Sequence, residues 1–139
     1  LADVQVVAQR ALEVSEKYGF HDYIGVAHAN LAWVALQTGG DVQAAASEAL
    51  AAWGRLPAAY SYPAQWTLRA PLAIHLTRIG KLNEARAQWE LLLDTRQYLL
   101  PDELTRAIQL ALEESSREVA AQRERLEAVA TLASDLRYV

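Results

Sequence analysis

Leu72-Ala73-Ile74-His75-Leu76-Thr77-Arg78-Ile79-Gly80-Lys81-Leu82-Asn83-Glu84-Ala85-Arg86-Ala87-Gln88-Trp89-Glu90-Leu91-Leu92 is the stretch whose reading decides the architecture. Before the glycine, Leu72, Ala73, Leu76 and Ile79 recur at helical spacing on one face; after it, Leu82, Ala85, Trp89 and Leu92 do the same. Glycine allows the left-handed conformation that ends a helix and turns the chain back, so the stretch reads as an antiparallel helix pair. A related stretch lies upstream: Leu31-Ala32, then Leu36, Gly40, Ala44-Ala45, Ala49 and Ala52. The offset between the two glycines (80 − 40) is one short of the offset between the Leu-Ala pairs (72 − 31). Neither pair can bury its apolar stripe alone, so the pairs are expected to stack.

Outward from these pairs, Gly19, Gly39-Gly40, Gly54 with Pro57, Pro63, Gly80 and Pro101 punctuate the chain. Helices are expected over about 3–18, 23–37, 41–53, 64–79 and 82–94. The first carries Val4, Val7, Ala8, Ala11, Leu12 and Ser15 on one face, read as its core side. After Pro101, with Asp102 and Glu103 suiting a first turn, Leu104, Ala107, Ile108, Ala111 and Leu112 form a stripe. Val119, Leu126, Val129, Ala133 and Leu136 continue it nearly in phase. Ser115 with Glu118 matches a capping box, which favours two helices over one long one. The expected fold is all-α, with about six or seven helices and no strands.

Composition agrees. The 139 residues include 27 Ala and 21 Leu but only 6 Gly and 4 Pro, a balance that favours helix. With 53% hydrophobic and 22% charged residues, the chain is expected to fold rather than stay disordered. Cys is absent, which excludes disulfides, a thiolate nucleophile and cysteine-based metal sites. No apolar run approaches membrane-spanning length, and no signal peptide leads the chain, so no membrane role and a cytoplasmic location are expected. Net charge is −4 with 13 Lys and Arg, so no basic face offers itself to nucleic acid. With no Met and an opening Leu1-Ala2-Asp3, the sequence reads as a piece of a longer protein. Its high Ala and low Lys suit a GC-rich bacterium.

The pattern Leu72-Ala73…Leu76…Gly80…Ala85…Trp89…Leu92 resembles the tetratricopeptide repeat, in which Leu-Gly, Tyr, Gly, Ala, an aromatic and Ala occupy the matching places. Leu-Ala stands where the family has Leu-Gly, one extra residue sits at Gly39-Gly40, and the 54–63 linker lengthens the spacing beyond the family's ~34 residues. The resemblance implies an α-solenoid of antiparallel helix pairs with a right-handed superhelix in a single domain. Residues 1–19 would be the second helix of a truncated repeat, 22–54 and 64–95 two repeats, and 101–139 a capping helix or pair. The segment from Leu92-Leu93-Asp94 to Leu99-Leu100-Pro101-Asp102 is similar to the C-terminal helical arms of large bacterial signalling proteins. These include nucleotide cyclases and transcriptional regulators with an ATPase core.

No motif for catalysis is present. Gly39-Gly40-Asp41 is a helix-to-helix turn without the lysine of a phosphate loop, and there is no nucleophile elbow or His-Glu-x-x-His. An enzymatic role for this chain, a metal site and a cofactor are therefore not expected, although a parent protein could carry an ATPase or cyclase elsewhere. His21, His28 and His75 have no carboxylates completing a ligand set. Trp53, Trp66 and Trp89 fall at packing positions. Trp33 differs, because the resemblance puts it on the concave face, with Ile74 as its counterpart in the next repeat. Asn30 stands where peptide-clamping members keep an asparagine, but its counterpart is Pro71, which removes a donor and frees the Thr67 carbonyl. The candidate groove is Val26, Ala29, Asn30, Trp33, Gln37, Thr67, Ala70, Ile74 and Arg78. It suits a partner helix or apolar peptide better than an acidic tail. The expected function is a protein-interaction or scaffold module of a bacterial signalling or transcription-regulatory protein. Homodimerisation or packing against other domains of the parent is the alternative, through the edge of the truncated repeat and the final Leu136-Arg137-Tyr138-Val139. Sensing of a small effector is a third possibility and requires a closed apolar pocket.

Overall fold

The computed structural model describes residues 1–57, 59–113 and 118–137. They form seven α-helices and no strand: α1 (Ala2–Tyr18), α2 (His21–Thr38), α3 (Val42–Trp53), α4 (Trp66–Arg78), α5 (Leu82–Leu91), α6 (Asp102–Glu113) and α7 (Val119–Asp135). The chain divides into two compact units, Leu1–Pro63 and Ala64–Val139.

In the first unit α2 packs against both α1 and α3. It is apolar almost all round, and its buried residues include Gly25, Ala27, Ala29 and Ala32, whose small size allows close approach on two sides. Gly25 was not marked by the sequence patterns. It is needed because a Cβ there would run into the indole of Trp53. That indole is buried, donates from Nε1 to the Asp22 carbonyl at 3.2 Å and stacks on Tyr62 at 4.9 Å between ring centroids. Gly39 takes φ +75° to end α2, and Gly80 takes φ +80° just beyond α4. The offset between these two caps (80 − 39) equals that between the Leu-Ala pairs (72 − 31). The extra residue of the first pair is thus Gly40, which follows the cap. Asp41 then caps α3 by accepting from the Ala44 N–H at 2.9 Å.

In the second unit α4 packs against α5 and α7, and α6 contacts α5 and α7. α4 buries Leu68, Ala70, Pro71, Leu72, Ala73, Ile74, Leu76 and Thr77. Pro71 sits inside it, yet the helix is continuous from Trp66 to Arg78. Two arginines tie helix ends to their neighbours. Arg86 of α5 donates to the carbonyls of Ala111 (3.4 Å) and Leu112 (2.7 Å) in the last turn of α6. Arg123 of α7 donates to the carbonyls of Thr77 (3.3 Å) and Arg78 (3.2 Å) at the end of α4. Each donates to carbonyls in the last turn of a neighbouring helix, where a cation suits the negative end of the helix dipole.

The described residues of the tail hold two helices, α6 and α7, and Glu118 has the extended backbone φ −93°, ψ 112° immediately before α7. Ser115, the other half of the expected capping box, lies outside the described residues, as do Tyr138 and Val139. Three core expectations are corrected. Val119, the first residue of α7, is exposed, and the buried residues of α7 are Leu126, Val129 and Ala133. Ile79 is exposed, because α4 ends at Arg78 and Ile79 belongs to the turn before Gly80. On α1 only Ala8 and Ser15 are buried, while Val7 and Ala11 are exposed. The helix thus meets α2 along one edge of its apolar stripe and leaves the rest in solvent.

Candidate functional site

On α1 the apolar residues Val4, Val7, Ala11, Val14 and Tyr18 are spaced 3, 4, 3 and 4 apart, which keeps them in line along one helical face. Ala8 and Ser15, a quarter-turn away, are the residues buried toward α2. The visible stripe and the adjacent face of α2 enclose a trough. One part, of about 340 Å³, is lined by Asp3, Val4, Val7, Ala8 and Ala11 of α1 with Tyr23, Val26, Ala27 and Asn30 of α2. A continuation of about 470 Å³ shares Val7, Ala11 and Tyr23 and adds Arg10, Val14, Ser15 and Phe20. The lining is overwhelmingly apolar, and large side chains there stand in solvent: Val7 is 67% exposed, Val14 43% and Tyr23 62%. At one end Tyr18 stacks on Phe20 (5.9 Å), which meets Tyr23 edge-on (6.3 Å). Lys17 places its Nζ 5.3 Å from the Tyr18 ring centre.

Polar chemistry in the trough is sparse. Asn30 donates from Nδ2 to the Val26 carbonyl at 3.0 Å, an intrahelical bond that fixes its amide against α2. Arg10 is paired with Glu13 on the same helix at 2.7 Å. Nothing in this arrangement activates a nucleophile or positions an acid and a base. Among the described residues no three His, Asp or Glu side chains converge on a site able to hold a metal ion. The His21 Nδ1 is buried without a hydrogen-bond partner, as is the Nε1 of Trp89 in the core of the second unit.

The residues expected to form a groove take different places. Val26 and Asn30 line the α1/α2 trough. Trp33 is half-buried and Gln37 exposed; neither lines that trough, although they follow on the same face of α2 by spacing. Ala29 is fully buried, so it packs and does not present a surface. In the second unit Thr67 is half-buried, its Oγ1 donating to the Ala64 carbonyl at 2.9 Å, and Ala70 is buried. Ile74 and Arg78 line a more polar cleft of about 350 Å³ with Thr77, Glu127, Ala130, Thr131 and Ser134 of α4 and α7. Ile74 is only 4% exposed, forming the floor of that cleft. A further cleft of about 410 Å³ runs between α6 and α7, lined by Ala107, Leu110, Ala111, Arg125, Ala128, Val129 and Leu132. Trp53 and Trp89 are buried and Trp66 is half-buried.

Sequence reasoning missed the trough because it assigned Val7 and Ala11 to the core. The one signal available was width: an apolar stripe with aromatics Tyr18, Phe20 and Tyr23 clustered at its end is broader than one neighbouring helix can cover. No helix among the described residues is long and apolar enough to cross a membrane. The chain matches no protein-family model, no curated protein and no solved structure.

Proposed function

We propose that the chain is a non-catalytic helical interaction module whose α1/α2 trough receives the apolar face of a partner helix. The observation that carries this is the continuous, almost wholly apolar trough between two helices, rimmed by exposed Val7, Val14, Phe20 and Tyr23. A helix laid there would replace water along the stripe with i, i+3, i+4 and i+7 anchors, the usual way a groove between helices takes a helical ligand. Asp3 and Asn30 are polar groups beside it that could fix orientation. The two glycine caps, spaced like the Leu-Ala pairs, support reading α2/α3 and α4/α5 as two tetratricopeptide-like helix pairs, and the resemblance of the 92–102 segment suggests an arm of a larger cytoplasmic bacterial signalling or transcription-regulatory protein.

A fluorescent amphipathic peptide of about five helical turns, built of Leu and Lys, tests the groove, with a scrambled peptide of equal composition as control. The expected result is saturable binding of the amphipathic peptide, weakened at least tenfold by Val7→Glu, a charge placed on an apolar contact. Equal binding of both peptides, or indifference to Val7→Glu, would sink the assignment.

A further inference from the structure

Half of the exposed large hydrophobic residues among the described ones lie between Leu1 and Tyr23, on or beside α1. The charges bordering them are not scattered. On a helical projection of 100° per residue, the visible stripe is flanked on one side by Ala8 and Ser15, which face α2. On the other side it is flanked by a single row, Asp3, Arg10 and Lys17, each a heptad beyond the last. That row starts negative and ends positive, and its middle member is already neutralised by Glu13 at 2.7 Å.

Such a row has one complementary partner close to hand, which is itself, reversed. If a second α1 lies antiparallel with its centre over Ala11, Val4 falls near Tyr18, Val7 near Val14, and Ala11 over its own copy. The same register sets Asp3 of each copy beside Lys17 of the other, giving two ion pairs related by a two-fold axis. A small residue at the axis lets the backbones approach, and opposed helix dipoles suit the antiparallel sense. Parallel pairing would instead bring like helix ends together and match neither charge. We infer that the occupant of the α1/α2 trough is a second copy of this chain, docked through α1 in antiparallel orientation, forming a closed two-fold dimer. This rests on the reading of the trough as a helix seat.

The test is the molar mass of the full chain by sedimentation across concentration. The wild type is expected to shift from monomer to dimer, and Val7→Glu to raise the dimer dissociation constant at least thirtyfold without loss of helicity, since Val7 is exposed. Asp3→Lys and Lys17→Asp are each expected to weaken the dimer about three- to tenfold, and the double exchange to restore it, as expected for rim ion pairs. The chain has no cysteine, so Ala11→Cys gives a clean readout: it should cross-link to itself on oxidation, whereas Val4→Cys should cross-link only when mixed with Tyr18→Cys. A monomer at all concentrations overturns the inference, as does a dimer in which Val4→Cys cross-links to itself. In the monomer case, anilinonaphthalene sulfonate separates the two readings. If the dye binds the wild type and not Val7→Glu, the groove stands and takes another helix. If it binds neither, the groove reading falls as well.

Discussion

α1 and α4 carry apolar stripes of similar spacing and similar composition, but they are used in different ways. α4 is covered on several sides: eight of its residues are buried, and it packs against α5 and α7 within its own unit. α1 has one neighbour within its unit, α2, and buries only Ala8 and Ser15. The difference lies in the number of partners each helix has, not in the helix-forming sequence. A stripe wider than its partner leaves apolar area in contact with water, and such area is where a protein gains by binding something. α4 is therefore committed to the core, and α1 leaves an apolar face exposed.

Mutation can break that contrast directly. Leu68→Ala in α4, at a fully buried position, should cost about 2–5 kcal/mol by denaturant unfolding, the sum of lost transfer energy and a residual cavity. Val7→Ala on α1 should stay within ~0.5 kcal/mol while weakening any association through the trough. Equal costs at the two sites would mean that α1 is covered after all, and the contrast would collapse.

A second comparison sets Gly25 against the glycine caps. Gly25→Ala should destabilise by about 1–3 kcal/mol because the new Cβ displaces the Trp53 indole, even though Ala favours helix over Gly by roughly 1 kcal/mol. A red shift of tryptophan emission should accompany it as the bond to the Asp22 carbonyl is lost. An unchanged melting temperature and spectrum would show that α2 and α3 can separate at no cost.

Arg86→Met tests how far helix ends depend on their neighbours. It keeps most of the apolar stem but removes the guanidinium that donates to the Ala111 and Leu112 carbonyls, and should cost about 1–2 kcal/mol, with faster hydrogen exchange in the last turn of α6. No change in exchange there would assign those carbonyls to water.

These sites also show what can be read from the sequence. The helices themselves were legible, most to within two or three residues, because periodicity and breakers are local. The pairing across Gly80 was legible for the same reason. What a stripe meets is not local: Val7 and Leu68 look alike in sequence, and only the number of neighbouring helices separates them. Gly25 lies in an uninterrupted helical pattern, so its reason for being glycine sits at the far end of the next helix, at Trp53. Nothing local marks Arg86 and Arg123, because the carbonyls they donate to, on Ala111 and Thr77, belong to other helices. Of the expected groove residues, Val26 and Asn30 line the α1/α2 trough, whose α1 half was assigned to the core.

The smallest expected effect comes from a contact that is wholly local. Asp94 accepts from Arg96 through side chain and backbone, with Nη2 to Oδ2 at 2.6 Å and the Arg96 N–H to Oδ1 at 2.9 Å. These hydrogen bonds, with the guanidinium charge behind them, hold the Asp94 carboxyl down at about 2. A carboxylate depressed in the folded state stabilises it above the unfolded value of about 3.9, and that contribution fades as pH falls toward 2. The pair is open to solvent, so its loss should barely move the unfolding midpoint, and the test is spectroscopic. The Asp94 carboxyl carbon should titrate near 2 in the wild type, and Arg96→Gln should bring it back toward the ordinary carboxylate range. If the midpoint stays low in that variant, the backbone N–H of residue 96 is sufficient to hold the charge, and the turn after α5 is organised by the main chain and not by the ion pair.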